Sequence, residues 1–242
     1  MMRQYHCSRR EPQLKLKSRD GLKRDIVIEM DGTTSLSEFE SKELLSRYGL
    51  QISKESLVYS SSEAKARAVD LGYPVVLKIC GRGIAHKTEI DGIRLNIQTE
   101  SDLAAAVEEL AALGGENPEF LISEQVLGVR EFIAGYHVDP DFGPVIMFGL
   151  GGIFTELISD VNFRLLPCKR RELQVMIHEL EASALLEEFR GEEEISIDTL
   201  LDALEAISHC GLDDQRIVSI DVNPIIISNG HPIAVDALVV KS

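Results

Sequence analysis

Hydrophobic and polar positions follow two different periods along this chain, and the switches between them lay out its elements. Ser37 and Glu40 have capping-box spacing, and Leu44, Leu45 and Tyr48 follow at helical spacing before Gly49, so a helix is predicted there. Ser60 and Glu63 repeat the device ahead of AKARAVDLG, with Gly72 as the stop. A third helix is predicted over SDLAAAVEELAALGG, where Leu103, Val107 and Leu110 share a face and two glycines close the segment. The apolar runs YPVVLKI, GIRLNI and FLISEQVL read as strands.

Past Gly128, EFIAGYHV and VIMFGLGG flank the turn formers DPDFGP and predict a hairpin. Leu173, Ile177, Leu180 and Ala184 keep helical spacing and predict one helix over 170–189. Ser196 is placed to cap another helix running to His209. The strands IVSIDVNPIII and PIAVDALVV close the chain around a turn at Asn229 and Gly230. Strands at both ends with helices between them predict an α+β protein of two lobes.

Composition narrows the picture. A chain of 242 residues needs no disulfide staples, and its four cysteines are scattered without a C-x-x-C pair, so a reducing cytoplasm is the expected location. The N-terminus lacks the apolar core of a secretory signal, and no apolar run approaches the ~20 residues that span a bilayer, so no membrane association is expected. A net charge of -15 argues against general nucleic-acid binding. Residues 1–25 carry eight Lys/Arg against three Asp/Glu, a local +5, and the remainder carries 17 against 37. This basic head is either an arm that touches an acidic surface or a solvated extension.

Several residue patterns can carry chemistry. Lys78 follows the uncharged residues Pro74 to Leu77 and is expected to end a strand. There its ammonium either projects into a cleft, suiting a nucleotide phosphate, or snorkels at a sheet edge. His86 sits in a loop with Gly81, Arg82, Gly83, Lys87 and Gly92. It is either a polar surface group or a phosphoryl carrier, since neutral imidazole offers a nucleophilic nitrogen and basic neighbours stabilise the transferred charge. Asn223 and Asp236 would meet if their strands pair antiparallel. They offer hard oxygens of the kind Mg²⁺ accepts, or they satisfy local backbone. Gly149, Gly151 and Gly152 either bring backbone N–H groups to an anion or make a tight turn. Arg164 can clamp a phosphate, and Glu156 can orient a histidine tautomer or form a surface salt bridge.

Taken in order, LGYPVVLKI, the His-Lys-Thr loop, SEQVLGVREFIAG, FGPVIMFGLGGIFTE, DVNFRLLP, DVNP and AVDA resemble the ATP-grasp part of ADP-forming acyl-CoA synthetases, either their β subunit or the corresponding domain. The resemblance covers residues 36–240. It implies an ATP-grasp fold of two α+β lobes with a nucleotide cleft between them. The first lobe would span 36–127 with the His86 loop, and the second 128–242 with the Mg-binding strands, after a basic extension over 1–35.

The resemblance also implies the reaction acyl-CoA + ADP + phosphate = carboxylic acid + CoA + ATP, with ATP/ADP, Mg²⁺ and phosphohistidine. Residue by residue, it implies that His86 is the phosphate relay and that Lys78 and Arg164 meet phosphates. Glu124, Gln125, Val126 and Leu127 would form the hinge beside adenine, and Glu131 would address the ribose. Gly151, Gly152 and Glu156 would shape the place where the His86 loop docks, and Asn223 and Asp236 would hold Mg²⁺. Around the histidine the chain departs from the pattern. Gly81-Arg82-Gly83 stands where relatives commonly show Ser-Pro, and Asp91-Gly92 where they show Gly-Gly. A CoA-binding half is expected on a separate partner, the α subunit of a heterotetramer. A regulatory nucleotide-binding module without relay chemistry and a stand-alone ATP-grasp ligase stay open as alternatives.

Overall fold

The capping box at Ser37 forms: Ser37 Oγ accepts from Glu40 N–H at 3.2 Å, and Glu40 Oε2 accepts from Ser37 N–H at 2.9 Å. It opens the first helix of a computed structural model that describes residues 32–81, 91–113, 118–152 and 160–242. In chain order the first elements are β1 (Thr34–Ser35), α1 (Glu38–Ser46), β2 (Glu55–Val58), α2 (Ser61–Leu71), β3 (Val75–Cys80), β4 (Ile93–Ile97) and α3 (Glu100–Ala111). There follow β5 (Glu119–Glu124), β6 (Glu131–Asp139), β7 (Gly143–Leu150), β8 (Val161–Leu165), α4 (Arg170–His178), α5 (Ile197–Asp213), β9 (Ile217–Ser228), β10 (His231–Ala234) and β11 (Ala237–Lys241).

Two antiparallel sheets result. The smaller runs β2-β5-β3-β4, and α2 and α3 cover one face, where Val75, Leu77, Leu103, Leu110, Phe120 and Ile122 make its core. Ser60 Oγ and Thr99 Oγ1 cap those helices by accepting from Glu63 and Asp102 N–H. The larger sheet runs β1-β11-β9-β6-β7-β8, with β10 beside β9. Helices α4 and α5 cover one of its faces over a core that includes Phe132, Phe148, Ile207 and Val222. Phe132 and Phe148 stack with centroids 5.2 Å apart. Each such fully buried side chain contributes roughly 1.5–3 kcal/mol through removal from water. Among the described residues no helix is long and apolar enough to cross a membrane.

The predicted hairpins form. β6 and β7 pair from Phe132↔Leu150 to Asp139↔Gly143, and the β9–β10 turn places Asn229 and Gly230 at positive φ of 49° and 75°. The long helix predicted over 170–189 is divided. α4 ends at His178, and the Asp160 carboxylate accepts from the N–H groups of Glu181 and Ala182 at 2.9 and 2.8 Å. That carboxylate captures the donors a continuing helix would use, and only a 3-10 turn over Ser183–Leu186 follows. α5 runs four residues beyond the predicted His209 end, and Ser196 precedes it without a side-chain capping bond.

Residues 36–52, expected at the start of the first lobe, pack with the larger sheet instead, together with 34–35 from the end of the expected extension. β1 pairs with β11, α1 lies against β11 and α5, and Ile52 bridges Ala234. The smaller sheet therefore begins at Glu55 and ends at Glu124, and α1 sits where the two lobes meet.

Candidate functional site

Alternation along β3 decides where Lys78 points. Val75 and Leu77 enter the core under α2 and α3, so Lys78 leaves from the opposite face, toward the larger sheet. The strand does not end at Lys78 as predicted but continues to Cys80, and the lysine is 6% exposed. It neither stands free in a cleft nor snorkels at an edge. Its Nζ donates to Glu38 Oε1 at 2.7 Å and to the Val235 carbonyl at 2.8 Å, with Asp236 Oδ2 at 3.8 Å. Burial works against its charge, but Asp236 and then Glu38 outweigh it and hold the pKa above that of an ordinary lysine.

Lys42, one helical turn after Glu38, is fully buried beside it. Its Nζ lies 2.8 Å from Glu38 Oε1, donates to Val235 O at 3.1 Å, and pairs with Glu55 Oε2. Burial pushes the Glu55 carboxyl up, with Lys42 opposing it, and Glu55 Oε1 has no hydrogen-bond partner among the described residues. Sequence reasoning passed over Glu38, Lys42 and Glu55. Charges at i and i+4 on a capped helix read as a solvated face, and only the docking of α1 between the lobes buries them.

Asn223 and Asp236 come together as expected, although by a longer route than one turn. β9 pairs with β10 along its second half and with β11 along its first, so Val235 and Asp236 form the link between the two partners. Val222 faces Ala237, and Asn223 N–H donates to the Asp236 carbonyl at 3.2 Å. The Asn223 side chain is exposed and that of Asp236 is about a third exposed. Among the described residues no group of three or more His, Cys, Asp or Glu could hold a metal by itself. One carboxylate and one amide, both hard oxygen donors, instead fit Mg²⁺ that takes its other ligands from phosphates and water.

Glu131 shares the open face of the larger sheet with Asn223. Phe132 and Val222, their neighbours, point to the helices. Gly151 and Gly152 lie against Glu131. Gly151 N–H donates to the Glu131 carbonyl at 2.8 Å, and a Cβ at Gly152, whose φ is 71°, would stand 2.9 Å from Glu131 Oε2. Between the sheets, Glu124 Oε1 accepts from Lys54 N–H and Gln125 Oε1 from Asn96 N–H, while Val126 and Leu127 follow as the connection, Leu127 67% exposed.

Arg164 is not brought to this place. The cross-strand row Val222, Ala134, Phe148, Asn162 lies on the helix-covered face, and Arg164, two residues on, shares it. Its guanidinium pairs with Glu179 at the end of α4, on the opposite side of the sheet from Asn223. In this structure its guanidinium is engaged there rather than beside Lys78 and Asp236. His86 and Glu156 lie outside the described residues.

Comparison with known proteins matches residues 28–240 to the family described as ATP-grasp domain. The β subunit of the ADP-forming acetate–CoA ligase I of Pyrococcus furiosus is 35% identical over 211 residues, which cover 84% of this chain and 90% of that one. The ADP-forming acetate–CoA ligase I of Archaeoglobus fulgidus is 36% identical over 192 residues, and there the chain spans 28% of the longer protein. The dinucleotide-forming acetyl-coenzyme A synthetase 1 of Ca. Korarchaeum cryptofilum, solved with coenzyme A and Ca-AMPCP, superposes with a TM-score of 0.81 at 34% identity, over 86% of this chain and 94% of that one. A second structure of that synthetase, with coenzyme A, Mg-AMPPCP and its phosphohistidine segment pointing towards the nucleotide site, gives a TM-score of 0.75 at 34% identity over 86% and 93%. The chain belongs to the ATP-grasp family, in the branch formed by the β subunits and corresponding domains of ADP-forming acyl-CoA synthetases.

Proposed function

We propose that the chain is the phosphate-relaying β subunit of an ADP-forming acyl-CoA synthetase, which converts acyl-CoA, ADP and phosphate to carboxylic acid, CoA and ATP. The observation that carries this reading is the meeting of Lys78, from the smaller sheet, with Asp236, which links β10 and β11 of the larger sheet and whose carbonyl accepts from Asn223 N–H. A cation from one lobe and oxygen donors from the other provide for both the phosphates of a nucleotide and its metal.

In this reading Lys78 exchanges part of its hold on Glu38 and Val235 for phosphate oxygens. Residues Glu124 to Leu127 run beside adenine, and Glu131 takes the ribose. Mg²⁺ would be held by Asn223 and Asp236, and when bound it neutralises charge on the phosphate oxygens. Arg164 is left out of this reading, since it pairs with Glu179 on the far face.

His86 receives a phosphoryl group from the partner on a ring nitrogen. The N–P bond then breaks as an oxygen of the ADP β-phosphate forms the new O–P bond, and the imidazole recovers its lone pair. Glu156 accepts a hydrogen bond from the other ring nitrogen and fixes the tautomer, while Gly151 and Gly152 shape the docking place. The partner is a CoA-binding α subunit, assembled with this chain as a heterotetramer. The thiols of Cys168 and Cys210, outside any disulfide, suit a reducing cytoplasm.

The test is His86→Ala assayed with the partner subunit. ATP formation and acid-labile phosphate on the chain should both disappear while Mg-ADP binding persists. ATP formation at the wild-type rate would refute the relay.

A further inference from the structure

We propose that Lys42 is a positioning residue for the Mg-nucleotide site, acting through Glu38 and the Val235 carbonyl on Lys78 and Asp236. The inference rests on the reading of that site given above. Its observation is a shared pair of acceptors. Glu38 Oε1 lies 2.8 Å from Lys42 Nζ and 2.7 Å from Lys78 Nζ, and Val235 O accepts from the same two ammonium groups at 3.1 and 2.8 Å.

Two lysines from different lobes are thus bridged twice. The four groups come from α1, β3 and the link between β10 and β11, so their positions are set by one another rather than by local chain geometry. The Lys42 ammonium donates to Glu55 and to the Val235 carbonyl and lies 2.8 Å from Glu38 Oε1, so three oxygens surround it. With its side chain fully buried, Lys42 has no surface to offer a ligand.

Its effect therefore passes through its neighbours. Val235 directly precedes Asp236, so two ammonium groups on the Val235 carbonyl fix the turn that presents the Asp236 carboxylate beside Asn223. Glu38, held by Lys42, in turn keeps the Lys78 ammonium on the seam, 3.8 Å from Asp236 Oδ2. A methionine could fill the volume of Lys42, at a cost in stability because Glu38 and Glu55 would lose a buried partner. What it could not do is hold the Val235 carbonyl and the Glu55 carboxylate, from two other segments, in fixed relation to Glu38.

The experiment titrates the full chain with ADP, with Mg²⁺ and with EDTA, in wild type, Lys42→Met, Glu38→Gln and, as the reference for the site, Lys78→Ala. Thermal unfolding is recorded for each. Lys42→Met should fold with a lowered melting temperature and lose about 10- to 100-fold in Mg-ADP affinity, the usual range when a partner behind a metal ligand is removed. The gain in affinity that Mg²⁺ brings should shrink with it. A general loosening would weaken ADP alike with and without the metal and leave that gain unchanged, which would overturn the proposal.

Glu38→Gln should reproduce the effect, and the double variant should be no worse than either single one. If Lys42→Met does not fold, Glu38→Gln carries the same test. If neither folds, the cluster is a requirement of the scaffold and the proposal falls. Lys42→Met binding like wild type while Lys78→Ala does not bind would sink the positioning role and leave the site standing. Wild type that fails to bind, or Lys78→Ala that binds as well as wild type, would sink the site reading itself.

Discussion

The Nζ of Lys78 and the Oδ2 of Asp236 lie 3.8 Å apart, although one belongs to the four-stranded sheet and the other to the link between two strands of the larger sheet. The separation is longer than a direct hydrogen bond, and Lys78 already has Glu38 and Val235 O as acceptors. Asp236 therefore holds charge opposite the lysine while keeping a partly exposed carboxylate.

Asp236→Asn should leave the fold intact, because Lys78 keeps two acceptors and the side chain lost is about a third exposed. Mg-ADP affinity should fall by at least about tenfold, since even partners behind a metal ligand are worth about 10- to 100-fold. ADP in EDTA should bind as it does to wild type. Calorimetric titration under both conditions checks this, and equal losses in both would contradict it.

How much of this was legible in the sequence depended on whether the signal was local. The helix at Ser37, the hairpin at Asp139 and the turn at Asn229 are set by side chains within a few residues of the backbone they satisfy, and they appear where predicted. The approach of Asn223 to Asp236 could also be read, because alternating apolar residues set which strands pair.

Three things could not be read. β8 presents exposed Phe163 and Leu165 to the open face and Asn162 and Arg164 to α4, the reverse of the pattern that marks a strand over a core. The break after His178 depends on Asp160, 18 residues earlier. The burial of Lys42 depends on α1 docking between lobes, which no local pattern encodes.

Asp160 offers a direct check on that break. It is 6% exposed, and its two oxygens accept the N–H groups of Glu181 and Ala182. Asp160→Ala leaves both donors without it, and hydrogen bonds to a charged group contribute about 1.5–3 kcal/mol. Urea unfolding should show a loss in that range, with Asp160→Asn recovering part of it.

Arg130 should prove a stronger dependence. Its side chain is 1% exposed, its Nε donates to Glu192, and its other nitrogens donate to the carbonyls of Leu185, Glu187 and Glu193. Removing one partner of a buried ion pair costs about 3–5 kcal/mol, and Arg130→Ala should lie there. Arg130→Lys should restore little, since an ammonium cannot reproduce the planar fork. Full recovery by lysine in urea unfolding would show that charge alone is needed.

The β6–β7 turn supplies a pH dependence. Asp139 Oδ1 accepts from the N–H groups of Phe142 and Asp141, and those bonds, Phe142 first, hold its carboxyl below the usual carboxylate range. Because the folded pKa is depressed, the stability it confers is fully present above the unfolded value of about 3.9 and is lost as pH falls through the lower folded value. Asn at this position keeps an acceptor oxygen but does not titrate. The difference in melting temperature between wild type and Asp139→Asn should therefore be constant above about pH 5 and narrow progressively as the carboxyl protonates. A difference that stays constant down to the acid transition would show that the turn bonds do not distinguish carboxylate from carboxylic acid.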